Sequence, residues 1–176
     1  YLQGFTLGDI QRRSADFLDH LSVHAMLAAG TTGVQGVAPK YLLSTNREGR
    51  WYADMALDDA DAAEHWLVKG PRGRSDADRA VLRNEAAYLR VARRMGLRTY
   101  GEPRLEGELL FVQRFDRRVD TNGVTRLHQE SLASVAGLRG FSPPTGHMEL
   151  LVAMRKHASD PAAETLEYLL RDVLNV

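Results

Sequence analysis

The chain has 176 residues, 23 Lys plus Arg against 23 Asp plus Glu, and 44% hydrophobic content. That is enough to bury a sizeable core in one or two small lobes, while no apolar run approaches the roughly 20 residues of a membrane-spanning helix. Balanced charge argues against a protein whose main business is gripping nucleic acid. The absence of Cys excludes a disulfide scaffold, thiolate zinc sites, iron–sulfur clusters and a Cys nucleophile. The expected compartment is cytoplasmic, and with Tyr1 at its start the sequence reads as a piece of a longer chain.

In chain order, Leu7, Ile10, Phe17, Leu18, Leu21 and Ala25 recur at helical spacing behind a Thr6–Asp9 cap, which predicts one long helix from Thr6 to about Ala28. Glycines and a proline between Ala28 and Pro39 predict a Gly-rich loop. Lys40–Ser44 and Trp51–Leu57 read as paired strands around the Asn46–Gly49 turn, and His65–Lys69 as a third strand with Leu67 and Lys69 on one face. Ser75 and Asp78 cap a helix reaching about Met95, whose core stripe is expected at Val81, Glu85, Leu89, Ala92 and Met95. Arg98–Glu102 and Leu109–Phe115 read as two further strands around Gly107. Then come a turn at Asp120–Gly123, a short segment entering a helix over Leu127–Ala136, and a loop at Gly140–Pro144. A helix near His147–His157 precedes a last one opened by Asp160-Pro161, with Leu166, Leu169, Leu170, Val173 and Leu174 on one face. The pattern is α+β.

Chemistry concentrates at few positions. Lys69 ends a strand on a partly buried face and needs a counter-charge; Glu85 is a carboxylate inside a helix stripe. Strand, loop and helix in that order are able to bring the two together. The alternative is that Lys69 reaches solvent and Glu85 sits at the stripe's edge. The stretch Gly30–Gly36 offers backbone N–H groups for a polyphosphate but lacks the P-loop and full G-x-G-x-x-G patterns, so taken alone it reads first as a plain helix-to-strand connection. The six His have no metal-ligand spacing, and no G-x-S-x-G elbow is present. Arg114–Arg118 reads as a solvated linker after a strand rather than a nucleic-acid patch.

A Gly-rich loop, a strand Lys, a helix Glu and a strand leading into a helical half follow the order of a protein-kinase amino lobe. The stretches Thr32-Gly-Val-Gln-Gly-Val-Ala-Pro-Lys40, His65-Trp-Leu-Val-Lys69, Asn84-Glu-Ala-Ala-Tyr-Leu89, Phe111-Val-Gln-Arg-Phe-Asp-Arg117 and Leu127-His-Gln-Glu-Ser-Leu132 resemble the successive signatures of HipA-like serine/threonine kinases, the toxins of bacterial type II toxin–antitoxin modules. The resemblance implies a leading helix over residues 1–29, a kinase-like amino lobe over 30–116 and the beginning of a helical carboxy lobe over 117–176.

It further implies ATP held through Lys69, with Glu85 as its helix partner. Gly33, Val34, Gln35 and Gly36 would lie over the phosphates, and Gln113, Arg114 and Phe115 would be the hinge that receives adenine. Thr32 would stand where the family often carries a regulatory phosphorylated serine. The catalytic Asp/Asn loop and the magnesium ligands would follow a helix resembling Leu169–Val176, so no catalytic residue is assigned here. Implied partners are a protein substrate and an antitoxin, with no nucleic acid bound by this fragment and no membrane. The alternative is a non-catalytic, pseudokinase-like module that binds an antitoxin or a transcription regulator.

Overall fold

The computed structural model describes residues 3–32, 38–121, 123–139 and 145–174, without the side chains of 25–32. The leading segment is two helices, α1 (Leu7–Arg12) and α2 (Ala15–Thr32), rather than one. Thr6 and Asp9 form a reciprocal capping box, Thr6 Oγ1 accepting the Asp9 N–H at 3.2 Å and Asp9 accepting the Thr6 N–H at 2.8 Å. The break falls at Arg13, whose φ of 50° is left-handed, and Ser14 restarts the chain by accepting the Phe17 N–H at 3.4 Å. Ile10, Phe17 and Leu21 keep helical spacing through the break and are all buried, so the apolar pattern carries no mark of it. Helix α2 also runs past Ala28, taking in Gly30, Thr31 and Thr32, which were expected in the loop. Mid-helix Gly costs only about 1 kcal/mol relative to Ala, a penalty other interactions can outweigh.

Five antiparallel strands follow: β1 (Lys40–Asn46), β2 (Trp51–Ala53), β3 (Ala62–Lys69), β4 (Arg104–Glu106) and β5 (Leu109–Gln113), in spatial order β2-β1-β3-β5-β4. The β1–β2 hairpin turns where Asn46 Oδ1 accepts the N–H groups of Glu48 and Arg50 at 3.1 and 2.8 Å. Strand β2 is shorter than expected and β3 starts three residues earlier. Strand alternation gives the sheet two faces. One carries Leu43, Trp51, Ala53, Trp66, Val68 and Phe111, which form the main core with Phe5, Ile10, Phe17 and Leu21. The other carries Leu42, Leu67, Lys69, Leu110 and Val112, since Leu42 pairs Leu67, Leu67 pairs Val112 and Lys69 pairs Leu110.

Helix α3 (Asp76–Arg94) packs Leu82 and Ala86 against Leu110 on that second face. Its stripe departs from the expected one: Leu82 and Ala86 are buried in place of Val81 and Glu85, Ala92 is buried as expected, Glu85 and Leu89 are half-buried, and Val81 and Met95 are exposed. Residues 98–102 are not a strand. Gly101 takes φ 69° and Pro103 follows, so regular pairing starts at Arg104. Beyond β5, the expected turn at Asp120–Gly123 joins two short strands, β6 (Arg117–Asp120) and β7 (Gly123–Arg126), paired only with each other. Arg126 ties β7 to Asp59 through bonds of 2.6 and 2.8 Å.

The chain divides into two compact units, residues 1–91 with 99–127, and residues 92–98 with 128–176. The second holds α4 (Leu132–Val135), α5 (His147–Arg155) and α6 (Pro161–Leu174). Asp160 opens α6 as read from sequence, accepting the N–H groups of Ala162 and Ala163 at 3.2 and 3.0 Å. Arg98 pairs with Glu164 and Glu167 of α6, and Arg171 donates to the Arg98 carbonyl at 2.7 Å. Leu166 and Val173 of its apolar face are exposed. The loop at Gly140–Pro144 lies outside the described residues. The architecture is α+β, and no described helix is long and apolar enough to cross a membrane.

Candidate functional site

Lys69 is the last residue of β3 and Glu85 lies in the second turn-pair of α3, 16 residues on. The ammonium of Lys69 donates directly to Glu85 Oε1. The pair forms because alternation turns Lys69 to the α3 side of the sheet, where Leu82 and Ala86 seat the helix against Leu110. The side chains remain 22% and 32% exposed, so the charges are held together yet reachable from solvent. Lys40 stands directly opposite Lys69 in the β1–β3 register, placing a second ammonium on the same end of the same face.

The other expected site residues fall into three groups. Gly33, Val34, Gln35 and Gly36 lie outside the described residues. Thr32 has a described backbone only, at the end of α2. Gln113 ends β5, and its side chain donates to Glu64 at 3.3 Å; Arg114 is buried; Phe115 is 58% exposed. Strand β3 separates these two halves of the site. Lys69 pairs Leu110 near its end, whereas Arg114 donates its backbone N–H to the His65 carbonyl at 2.9 Å, four residues back. Four residues of strand span about 13 Å. A hollow of about 190 Å³ borders the Arg114 end, lined by Glu64, His65, Tyr100, Gln113, Arg114 and Arg117. A larger one, about 830 Å³, lies at the β1–β2 hairpin among Arg47, Arg50, Tyr52, Asp58 and Asp61, and contains none of the expected site residues.

Sequence reasoning missed a buried polar network at the Arg114 end, where Arg114–Arg118 is not the solvated linker expected of it. Arg114 and Asp116 are 7% and 6% exposed. Arg114 grips Asp116 through Nε and Nη2 at 2.9 and 2.6 Å, and donates from Nη1 to Asp54 at 2.8 Å. Arg117 adds a 2.7 Å bond to Asp116. Asp54 Oδ1 also lies 2.8 Å from Ser44 Oγ and 2.7 Å from His65 Nδ1. Burial pushes the Asp54 carboxyl up, but the His65 hydrogen bond, the Arg114 charge and the Ser44 hydroxyl outweigh it and hold its pKa at about 2. Asp116 is likewise held below the usual range, its burial outweighed by Arg114 and Arg117. Two carboxylates and two guanidiniums cancel, which explains how four charges sit in the interior. The legible signal was alternation: counting on from Val112 puts Arg114 and Asp116 on the inward face that also carries Leu110.

The network resembles a hydrolytic triad in composition only. Ser44 Oγ and Asp54 Oδ1 both lie against the same ring nitrogen of His65, Nδ1, at 3.0 and 2.7 Å, so the order of a triad, with serine and carboxylate on opposite ring nitrogens, is not formed. Among the described residues, no group of three or more His, Asp or Glu side chains is placed to hold a metal ion.

The paired lysine and glutamate on the α3 side of an antiparallel sheet, with an R-F-D segment after β5 whose Arg and Asp turn inward, belong to a chain whose residues 32–176 match the family model described as the HipA-like C-terminal domain. The chain belongs to that family. No curated protein and no solved structure matches it.

Proposed function

We propose that this chain supplies the nucleotide-holding part of an ATP-dependent HipA-like serine/threonine protein kinase, the toxin component of a toxin–antitoxin module. The observation that carries the reading is the Lys69–Glu85 pair. A strand lysine fixed by a helix glutamate is held at one place and keeps two further N–H donors for phosphate oxygens. The sheet then acts as a kinase-like amino lobe: Lys69 takes the phosphates, the Gln113–Phe115 backbone takes adenine, and the loop through Gly33–Gly36 covers the phosphates. The roughly 13 Å of strand between the Lys69 and Arg114 ends suits a ligand with a base at one end and a polyphosphate at the other. Magnesium would supply charge neutralisation on those phosphates. What these residues do is bind and orient, since positioning and electrostatics carry most of phosphoryl transfer.

Titration of the chain with Mg-ATP tests the reading. Saturable binding that falls at least about tenfold in Lys69→Ala supports it, because loss of a charged hydrogen-bond donor to phosphate costs on the order of 1.5–3 kcal/mol. Equal affinity in Lys69→Ala and the parent chain overturns it. The second reading, a non-catalytic module that binds an antitoxin or transcription regulator, draws on the exposed Leu166 and Val173 of α6, which leave apolar surface for a partner.

A further inference from the structure

We infer that Asp54 is a positioning residue for the adenine-receiving segment Gln113–Phe115, acting through Arg114; the inference rests on the nucleotide reading above. Asp54 follows β2, 60 residues before Arg114 in the chain, yet its carboxylate binds groups from three successive sheet elements. Ser44 belongs to β1, His65 to β3, and Arg114 to the segment leaving β5. Arg114 is thereby fixed at both ends: its backbone N–H donates to the His65 carbonyl at 2.9 Å, and its guanidinium lies between Asp54 and Asp116.

The consequence falls on the residues around it. With Arg114 and Asp116 both turned inward, Phe115 between them is turned out, and the 113–116 backbone holds one shape as it passes from β5 to β6. Asp116 alone would leave the Arg114 guanidinium bound only to its own local segment, two residues away, with no side-chain anchor on the sheet. Asp54 is the anchor among the described residues. The Lys69–Glu85 pair stands four residues further along β3, and neither residue hydrogen-bonds the Asp54 network in the described contacts. Base recognition and phosphate recognition are therefore separable in this chain, and Asp54 governs the first.

The test compares ATP with inorganic tripolyphosphate, which keeps the phosphates and lacks the base, on the full chain and on Asp54→Asn and Arg114→Lys variants whose melting confirms a folded state. Asp54→Asn is expected to weaken ATP at least about tenfold and tripolyphosphate less than about twofold, the former being the scale of one lost charge-assisted contact. Arg114→Lys keeps the charge and loses the planar fork, and the same selective loss is expected. It also serves should Asp54→Asn fail to fold. Equal losses for both ligands, or an unchanged ATP affinity, overturn the role of Asp54 while leaving the nucleotide reading intact. A parent chain that binds tripolyphosphate no worse than ATP, or binds neither, overturns the nucleotide reading itself and this inference with it.

Discussion

Asp54 and Arg114 lie 60 residues apart in the chain and meet through a 2.8 Å bond inside the protein, each about 95% shielded from solvent along its side chain. Strong acid should weaken this contact. A carboxyl held at about 2 when folded, against 3.8 for the free group, adds stability that is complete above pH 4 and is lost as pH falls through 2. The difference amounts to about 2 kcal/mol. Urea unfolding followed from pH 5 to pH 2 should show that loss, and Asp54→Asn should flatten the slope in the same window.

The glutamate of the Lys69–Glu85 pair should matter more to ligand than to fold. The pair is partly exposed, and exposed ion pairs contribute about 1 kcal/mol or less. Glu85→Ala is expected to lower unfolding stability by no more than that. It should lower ATP affinity about tenfold, because Lys69 loses the partner that holds it in place. Parallel denaturation and titration series check the split.

Much of the architecture was legible because its signals are local. Thr6 with Asp9, Ser75 with Asp78 and Asp160 with Pro161 each mark a helix start by hydrogen bonds made within three residues, and the Asn46–Gly49 turn marks its hairpin the same way. The misses have non-local causes. The break at Arg13 leaves the apolar spacing of Ile10, Phe17 and Leu21 intact, and no glycine or proline announces it. On α3, both Val81 and Leu82 begin a helical apolar series, and the docking of Leu82 and Ala86 on Leu110 decides between them. Charged Arg114, Asp116 and Arg117 read as solvated because Asp54, the interior carboxylate that Arg114 reaches, comes from another part of the chain, while Asp116 pairs locally with Arg114 and Arg117. Of the site, Lys69 and Glu85 stood out as misplaced charges, whereas Asp54, Ser44 and His65 carry no motif of their own.

His20 should make the docking of α2 sensitive to mild acid. Its Nε2 accepts the Ala53 N–H at 3.1 Å in a buried position, with the Phe5 and His24 rings beside it. Burial first, then the neighbouring His24, lower its pKa below 6.5. The unfolded chain therefore binds the proton more tightly, and stability present at pH 7.5 falls as pH drops through and below 6.5. Hydrogen exchange at Ala53, corrected for intrinsic rates, should be faster at pH 5.5 than at pH 7.5.

Arg13 offers a stabilising change. A left-handed φ of 50° costs an L-residue about 1 kcal/mol that glycine does not incur, offset in part by the greater freedom of glycine when unfolded. Arg13→Gly is expected to raise the unfolding free energy by about 0.5 kcal/mol, read as a higher midpoint in urea with an unchanged slope.

Lys69 is proposed to sit against the phosphates of bound ATP. An ATP-derived acyl-phosphate probe transfers its acyl group to a lysine lying beside those phosphates, and peptide mass spectrometry locates the label. Acylation at Lys69 that excess ATP suppresses is the expected result. Labelling spread over surface lysines, or a Lys69 label that ATP leaves unchanged, would contradict it.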